Sequence, residues 1–177
     1  RSSAASDVYK RQHNWSVAEN GSVTLDSGTH IFTGAHNGEI AGTLRQVSGT
    51  VRAGSEGATF NFTGTGYLWE SGTLDGGSTG LTNAGLLRVN GGTLAGVVVN
   101  TGTLVHATGT VRFSYATLRN SGAIQLRQGE WSNYSGTNAF VNTGTLTKET
   151  LNDFVIEVPM QQPVSYTHLT LPTIYSV

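Results

Sequence analysis

The sequence predicts an all-β fold: a right-handed, single-stranded parallel β-helix of about seven coils of roughly 20 residues. Three observations carry this prediction. First, one motif occurs four times: aliphatic or aromatic, any residue, Asn, any, Gly, any, aliphatic. Its glycines, Gly85, Gly102, Gly122 and Gly144, stand 17, 20 and 22 residues apart. Second, a further glycine follows seven residues after the first in several units, as in Gly21 and Gly28, Gly42 and Gly49, Gly85 and Gly92, Gly102 and Gly109, and Gly122 and Gly129. Third, the apolar pattern alternates over segments of three to five residues, and no stretch carries a helical stripe.

The elements follow in chain order. Val23-Thr24-Leu25 opens the repeats, with Gly21 before it and Gly28 after it. Phe60-Asn61-Phe62, Leu87-Arg88-Val89, Val111-Arg112-Phe113 and Ile124-Gln125-Leu126 alternate in the same way, and Phe154 to Val158 closes the series. Repeat starts fall near residues 21, 42, 64–66, 85, 102, 122 and 144. Aliphatic or aromatic residues sit two places after many corner glycines, including Leu44, Val51, Leu87, Leu94, Leu104, Val111 and Trp131, and these point inward. Asn-x-Gly and Ser-Gly fit corners because such residues tolerate left-handed backbone. Stacked at about 4.8 Å per coil, seven coils make a rod roughly 30 Å long. Parallel crossovers favour the right hand.

Stacking would bring Asn83, Asn100, Asn120 and Asn142 together as an amide ladder. The alternative is four independent turn formers. No proline precedes Pro159, as two-sided strand pairing requires. The competing architecture is an antiparallel sandwich or barrel, which also uses short strands and frequent turns.

Composition narrows the function classes. Only 12% of the 177 residues are charged and the formal net charge is -1, so there is no basic footprint for a nucleic acid. The longest apolar runs, such as Val97-Val98-Val99, are too short to insert this segment in a membrane. Cysteine is absent, which removes disulfides and thiolate chemistry.

Both ends differ from the middle. Residues 1–12 and 164–177 contain no glycine. "SSAASDVYKRQ" and "VSYTHLTLPTIYSV" resemble strings that flank many unrelated conceptual translations, as adaptor read-through does. Residues 13–163 are then the β-helix, expected to be an internal piece of a longer protein.

"VNTGTL" and the longer "FVNTGTLTKETLNDFVIEVPM", from Phe140 to Met160, resemble repeats of very large secreted bacterial surface proteins. These are autotransporter and filamentous-haemagglutinin-like passengers and planctomycete-type giant repeat proteins. The positions that match are Asn142, Gly144, Leu146, Lys148, Ile156, Val158 and Pro159. The resemblance spans about residues 20–160. It implies export, a β-helical shaft and display at the bacterial surface or outside the cell, with a host-surface or glycan ligand.

Clustered chemistry is not legible. The acids between Glu19 and Glu157 are scattered, and no two share a position in neighbouring repeats, so no hydrolytic carboxylate pair is implied. Lys148, Arg88 and Arg112 read as solvated outer-face residues. His30, His36 and His106 lack metal-ligand spacing and read as surface histidines. Asp75 to Gly80 faintly echoes a calcium-binding glycine repeat and reads as a corner loop. Asn14, Asn20, Asn61 and Asn133 head Asn-x-Ser/Thr triplets that are common by chance in such a chain. Tyr67, Trp69, Trp131 and Tyr134 are candidates for a sugar-stacking strip, with Trp131 expected in the core. No catalytic, cofactor-binding or metal residue is assigned. The expected function is a non-enzymatic structural and adhesive segment whose uncapped coil ends self-associate. The alternatives are a carbohydrate-binding or polysaccharide-degrading β-helix module and, more remotely, ice binding by threonine rows.

Overall fold

The computed structural model describes residues 8–10 and 13–162. The two foreign-looking ends fall outside the described residues, apart from the backbone of a short strand, Val8–Lys10. The described chain is a parallel β-solenoid of about 7 turns spaced roughly 21 residues apart. Every strand pairing in it is parallel, which rules out the antiparallel sandwich.

Each coil has three legs. One leg comes from Ser22–Leu25, Thr43–Gln46, Tyr67–Trp69, Leu86–Val89, Thr103–His106, Ala123–Leu126 and Thr145–Lys148, which form a seven-stranded sheet in order along the rod. The other two legs lie in a second sheet of twelve strands. In several coils one long strand supplies both, as in Thr29–Ile40, Thr50–Gly64, Gly92–Asn100 and Thr110–Asn120. These strands turn at a bulge, where the register shifts at Phe32/Gly34, at Ala95/Gly96 and at Phe113/Ser114.

Period-two alternation puts one face of every leg inside. Leu44, Tyr67, Leu87, Leu104 and Ile124 stack in register along the first leg. Leu81, Val98, Leu118 and Phe140 do so on another. All are buried in one continuous core. Tyr67 and Trp69 follow this pattern and face inward, so they cannot stack on a sugar; Leu68 lies between them on the outer side. Trp131 is buried as expected, and of the four aromatic candidates Tyr134 alone is exposed.

The amide ladder forms. Asn83 Nδ2 donates to Asn100 Oδ1, Asn100 to Asn120 and Asn120 to Asn142, each at 2.7 Å. Each of the three donors also reaches two backbone carbonyls. Asn100 Nδ2, for example, bonds Gly102 O at 3.2 Å and Ala123 O at 3.0 Å. One buried side chain thus satisfies a corner carbonyl of its own coil and one of the next, groups that would otherwise be costly to bury.

The glycine of the motif has a different reason from the one the sequence suggests. Gly85, Gly102, Gly122 and Gly144 are not in the left-handed region. Instead they lie against one another's backbone: a Cβ on Gly122 would stand 2.2 Å from Gly102 O, and one on Gly144 would stand 2.1 Å from Gly122 O. The second glycine of the heptad is the left-handed one, with φ +66° at Gly28, +67° at Gly49 and +79° at Gly109.

Candidate functional site

The three corners of the coil differ in how constant they are. The Asn-x-Gly corner is closed by the ladder. The corner after the seven-stranded sheet is closed from inside by polar side chains. Buried Gln46 donates Nε2 to Gly49 O at 3.2 Å, and His106 Nε2 bonds Gly109 O at 3.1 Å. The third corner, between the two legs of the larger sheet, varies from coil to coil. It is a single Gly96 in one coil and Tyr115 in the next, whereas Gly54–Gly57 and Gly76–Gly80 form longer excursions in the early coils.

Those two excursions border a groove of about 400 Å³. The sequence folds this way because the register of Thr29–Ile40 on Thr50–Gly64 breaks after Phe32 and Ala53 and resumes at Gly34 and Ala58, so Gly54, Ser55, Glu56 and Gly57 are pushed outward. Gly76–Gly80 is held by Gly80 N to Gly76 O at 2.9 Å and by Thr79 Oγ1 to Gly54 O at 2.8 Å. Asp75 anchors both rims. Its Oδ2 accepts from Arg52 Nε and its Oδ1 accepts from Gly77 N, each at 2.8 Å. With both carboxylate oxygens engaged, Asp75 to Gly80 is a corner loop, as expected. The floor is Ile31, Thr33 and Ala53; the walls are Arg52, Ser55, Glu56, Ser78 and Thr79.

Thr33 is distinctive in this floor. It is 5% exposed and lines the groove. Gly54 makes room for it, because a Cβ there would stand 2.2 Å from Thr33 Oγ1. The groove therefore offers one buried hydroxyl, three exposed hydroxyls, one guanidinium already paired with a carboxylate, and the exposed carboxylate of Glu56.

The histidines require correction. His36 and His106 are fully buried and His30 is half-buried, so none is an ordinary surface histidine. Each buried ring accepts an indole N–H at Nδ1: Trp15 Nε1 to His36 at 3.2 Å and Trp131 Nε1 to His106 at 2.8 Å. Burial pushes both below the usual histidine value; the charge of His13 adds to this at His36, and carbonyls of Thr33 and of Thr108 and Gly109 oppose it at His36 and His106 respectively. Rings so placed are core fittings whose burial favours the neutral form. Burial also raises the Tyr67 hydroxyl well above its ordinary range, and that hydroxyl donates to Gln46 Oε1 at 2.8 Å.

Arg88 and Arg112 lie exposed on outward positions, as expected. Lys148 occupies the register position opposite Leu126 on the last full coil, where its amine bonds Arg127 O and Thr150 O at 2.6 Å each. Among the described residues, no three His, Cys, Asp or Glu side chains gather as a metal site. Nor is any helix there long and apolar enough to cross a membrane.

Sequence reasoning missed Thr33, Arg52, Ser55 and Thr79 as one site. The signal was present as extra glycines after corresponding legs of neighbouring coils. It also missed Tyr115, a non-glycine residue at φ 50° whose side chain is 72% exposed on the same corner further along the rod. No family model, no curated protein and no solved structure matches this chain.

Proposed function

We propose that this chain is a non-enzymatic structural and adhesive segment of a secreted bacterial surface protein, a length of shaft of the autotransporter or filamentous-haemagglutinin-like kind. The observation that supports it most is the amide ladder from Asn83 to Asn142. It repeats one corner solution coil after coil, so length is added without redesigning the core. Such a rod holds binding groups at a distance from whatever anchors it.

The chemistry available elsewhere agrees with this reading. The charged residues make isolated cross-coil pairs, Arg45 with Glu70, Arg52 with Asp75 and Arg127 with Glu149, each worth at most about 1 kcal/mol at a surface. They brace neighbouring coils and do not converge on a reacting centre. Carried on an outer-membrane anchor, the chain is expected to increase attachment of the displaying bacterium to host cells. Purified chain is expected to leave pectin and alginate intact. Unchanged attachment would remove the adhesive role, and polymer cleavage that survives repurification would replace the shaft with an enzyme.

A further inference from the structure

We infer that Tyr115 and Tyr134 are a modification site, where two phenol rings couple oxidatively into a dityrosine link that staples neighbouring coils. This uses the third corner alone and stands apart from the shaft reading.

The third corner carries left-handed backbone in successive coils. Gly34 at φ +80°, Gly57 at +76°, Gly77 at +57°, Gly96 at +63° and Gly136 at +72° supply it. Between Gly96 and Gly136 the place falls to Tyr115, at φ +50°. Glycine adopts this conformation freely, and a bulky aromatic does so only under strain. Strain that the surroundings hold in place points to a use for the side chain. Here that side chain is 72% exposed. The next coil makes room for it, because a Cβ on Gly136 would stand 2.4 Å from atoms of the Tyr115 ring. The ring therefore leans toward the coil that carries Tyr134, which is itself 67% exposed.

Register brings the two phenols within reach. Phe113 pairs with Asn133 and Ser114 with Ser135, so Tyr134 is the residue bulged out between the pairs and Tyr115 directly follows Ser114. Each tyrosine is thus one residue from a paired serine, which sets their Cα atoms roughly 9 Å apart for strands spaced about 4.8 Å, a gap that two tyrosyl side chains span. Buried Asn138 ties both coils around them. Its Nδ2 donates to Asn133 Oδ1 at 2.7 Å and Ser135 O at 3.0 Å, and its Oδ1 accepts from Ala116 N at 2.8 Å. Competing groups are out of the way: cysteine is absent, and Tyr67, Trp69 and Trp131 are buried.

The oxidant is a haem peroxidase working with hydrogen peroxide. It takes one electron and the phenolic proton from each ring. The two radicals join through the ring carbons beside the hydroxyls, and the hydrogen on each joined carbon returns to oxygen to restore two phenols. One C–C bond forms, and the two electrons and two protons reduce one hydrogen peroxide to two waters. The product closes a loop between coils in a chain that has no disulfide to do so.

The test treats dilute purified full chain with peroxidase and hydrogen peroxide. Dityrosine fluorescence is expected in the monomer, whose mass falls by two hydrogens. Trypsin is expected to release segments 113–119 and 128–148 as one joined peptide. Tyr115→Phe and Tyr134→Phe keep each ring without its hydroxyl, and each is expected to abolish that peptide. No dityrosine, dityrosine only between chains, a link mapped to another tyrosine pair, or a link that survives in either variant would each overturn the site.

Discussion

The Trp131 indole N–H donates to His106 Nδ1 across 2.8 Å inside the core, with the ring of Phe154 edge-on to the imidazole at 4.8 Å. The same pairing occurs at the other end of the rod, where Trp15 bonds His36 Nδ1 at 3.2 Å. In both, Nδ1 must be unprotonated to accept. A proton there would set one donor against another and bury a charge.

This relationship fixes the sign of the pH dependence. Burial lowers both histidines in the folded chain, whereas the unfolded chain titrates near the ordinary value of 6.5. Below that value the unfolded state holds more protons, so stability rises with pH through this window. Stability is complete above about pH 6.5 and is lost progressively as pH falls below it. Thermal melts between pH 8 and 5, limits set around that window, are expected to show a falling midpoint on the acid side. A midpoint that holds constant on acidification would contradict neutral, buried imidazoles.

The ladder predicts a positional difference. Asn120 has amides on both sides, accepting from Asn100 and donating to Asn142, Gly122 O and Thr145 O. Asn142 accepts from Asn120 and is bonded through no second ladder amide. Asn120→Ala orphans buried groups above and below and is expected to cost about 2–3 kcal/mol, with Asn142→Ala costing less. Urea denaturation of the two variants measures the difference; equal losses would mean that the four amides act separately.

Two glycines test two different causes. Gly122→Ala would drive a Cβ to 2.2 Å from Gly102 O, a clash with backbone that cannot move alone, so a loss of about 3 kcal/mol or more is expected. Gly28→Ala meets nothing within 4 Å and bears only the strain of φ +66°, for which about 1 kcal/mol is expected. If Gly28→Ala proved the costlier of the two by denaturation, close stacking of the Asn-x-Gly corners would not be their reason.

The terminal coils predict association. Val155 and Met160 are exposed, and Leu25 and Trp15 are half-buried at the opposite end. Among the described residues, Ser22–Leu25 and Thr145–Lys148 are edge strands of the seven-stranded sheet, and an edge can pair with another chain. Sedimentation is expected to show mass rising with concentration, and a strictly monomeric boundary at high concentration would remove this expectation.

The winding was legible because it is a property of spacing. A corner that recurs every coil must recur in the sequence, and the four Asn-x-Gly copies carry the ladder on their face. Inward and outward positions were legible wherever two-residue alternation was clean, as at Leu87 and Val89. It left open which way Tyr67 and Trp69 face, and with that their candidacy for sugar stacking; register places them on Leu44 and Leu87 and on Gln46 and Val89. The buried histidines were hidden for a similar reason. Polar residues are expected outside, and indole partners in neighbouring coils satisfy Nδ1 of each buried ring.

The sequence by itself determined the fold class, the coil spacing, the ladder and the absence of cysteine chemistry, because each depends on residue type at a repeated interval. Only the tertiary structure decided which groups meet across coils. Thr33, Gly54 and Thr79 lie in three successive laps of the chain, and no spacing rule marks them as one groove. Their meeting depends on how far two irregular corners bulge once the regular legs have locked in register. Local pattern sets the legs, and packing between laps sets the site.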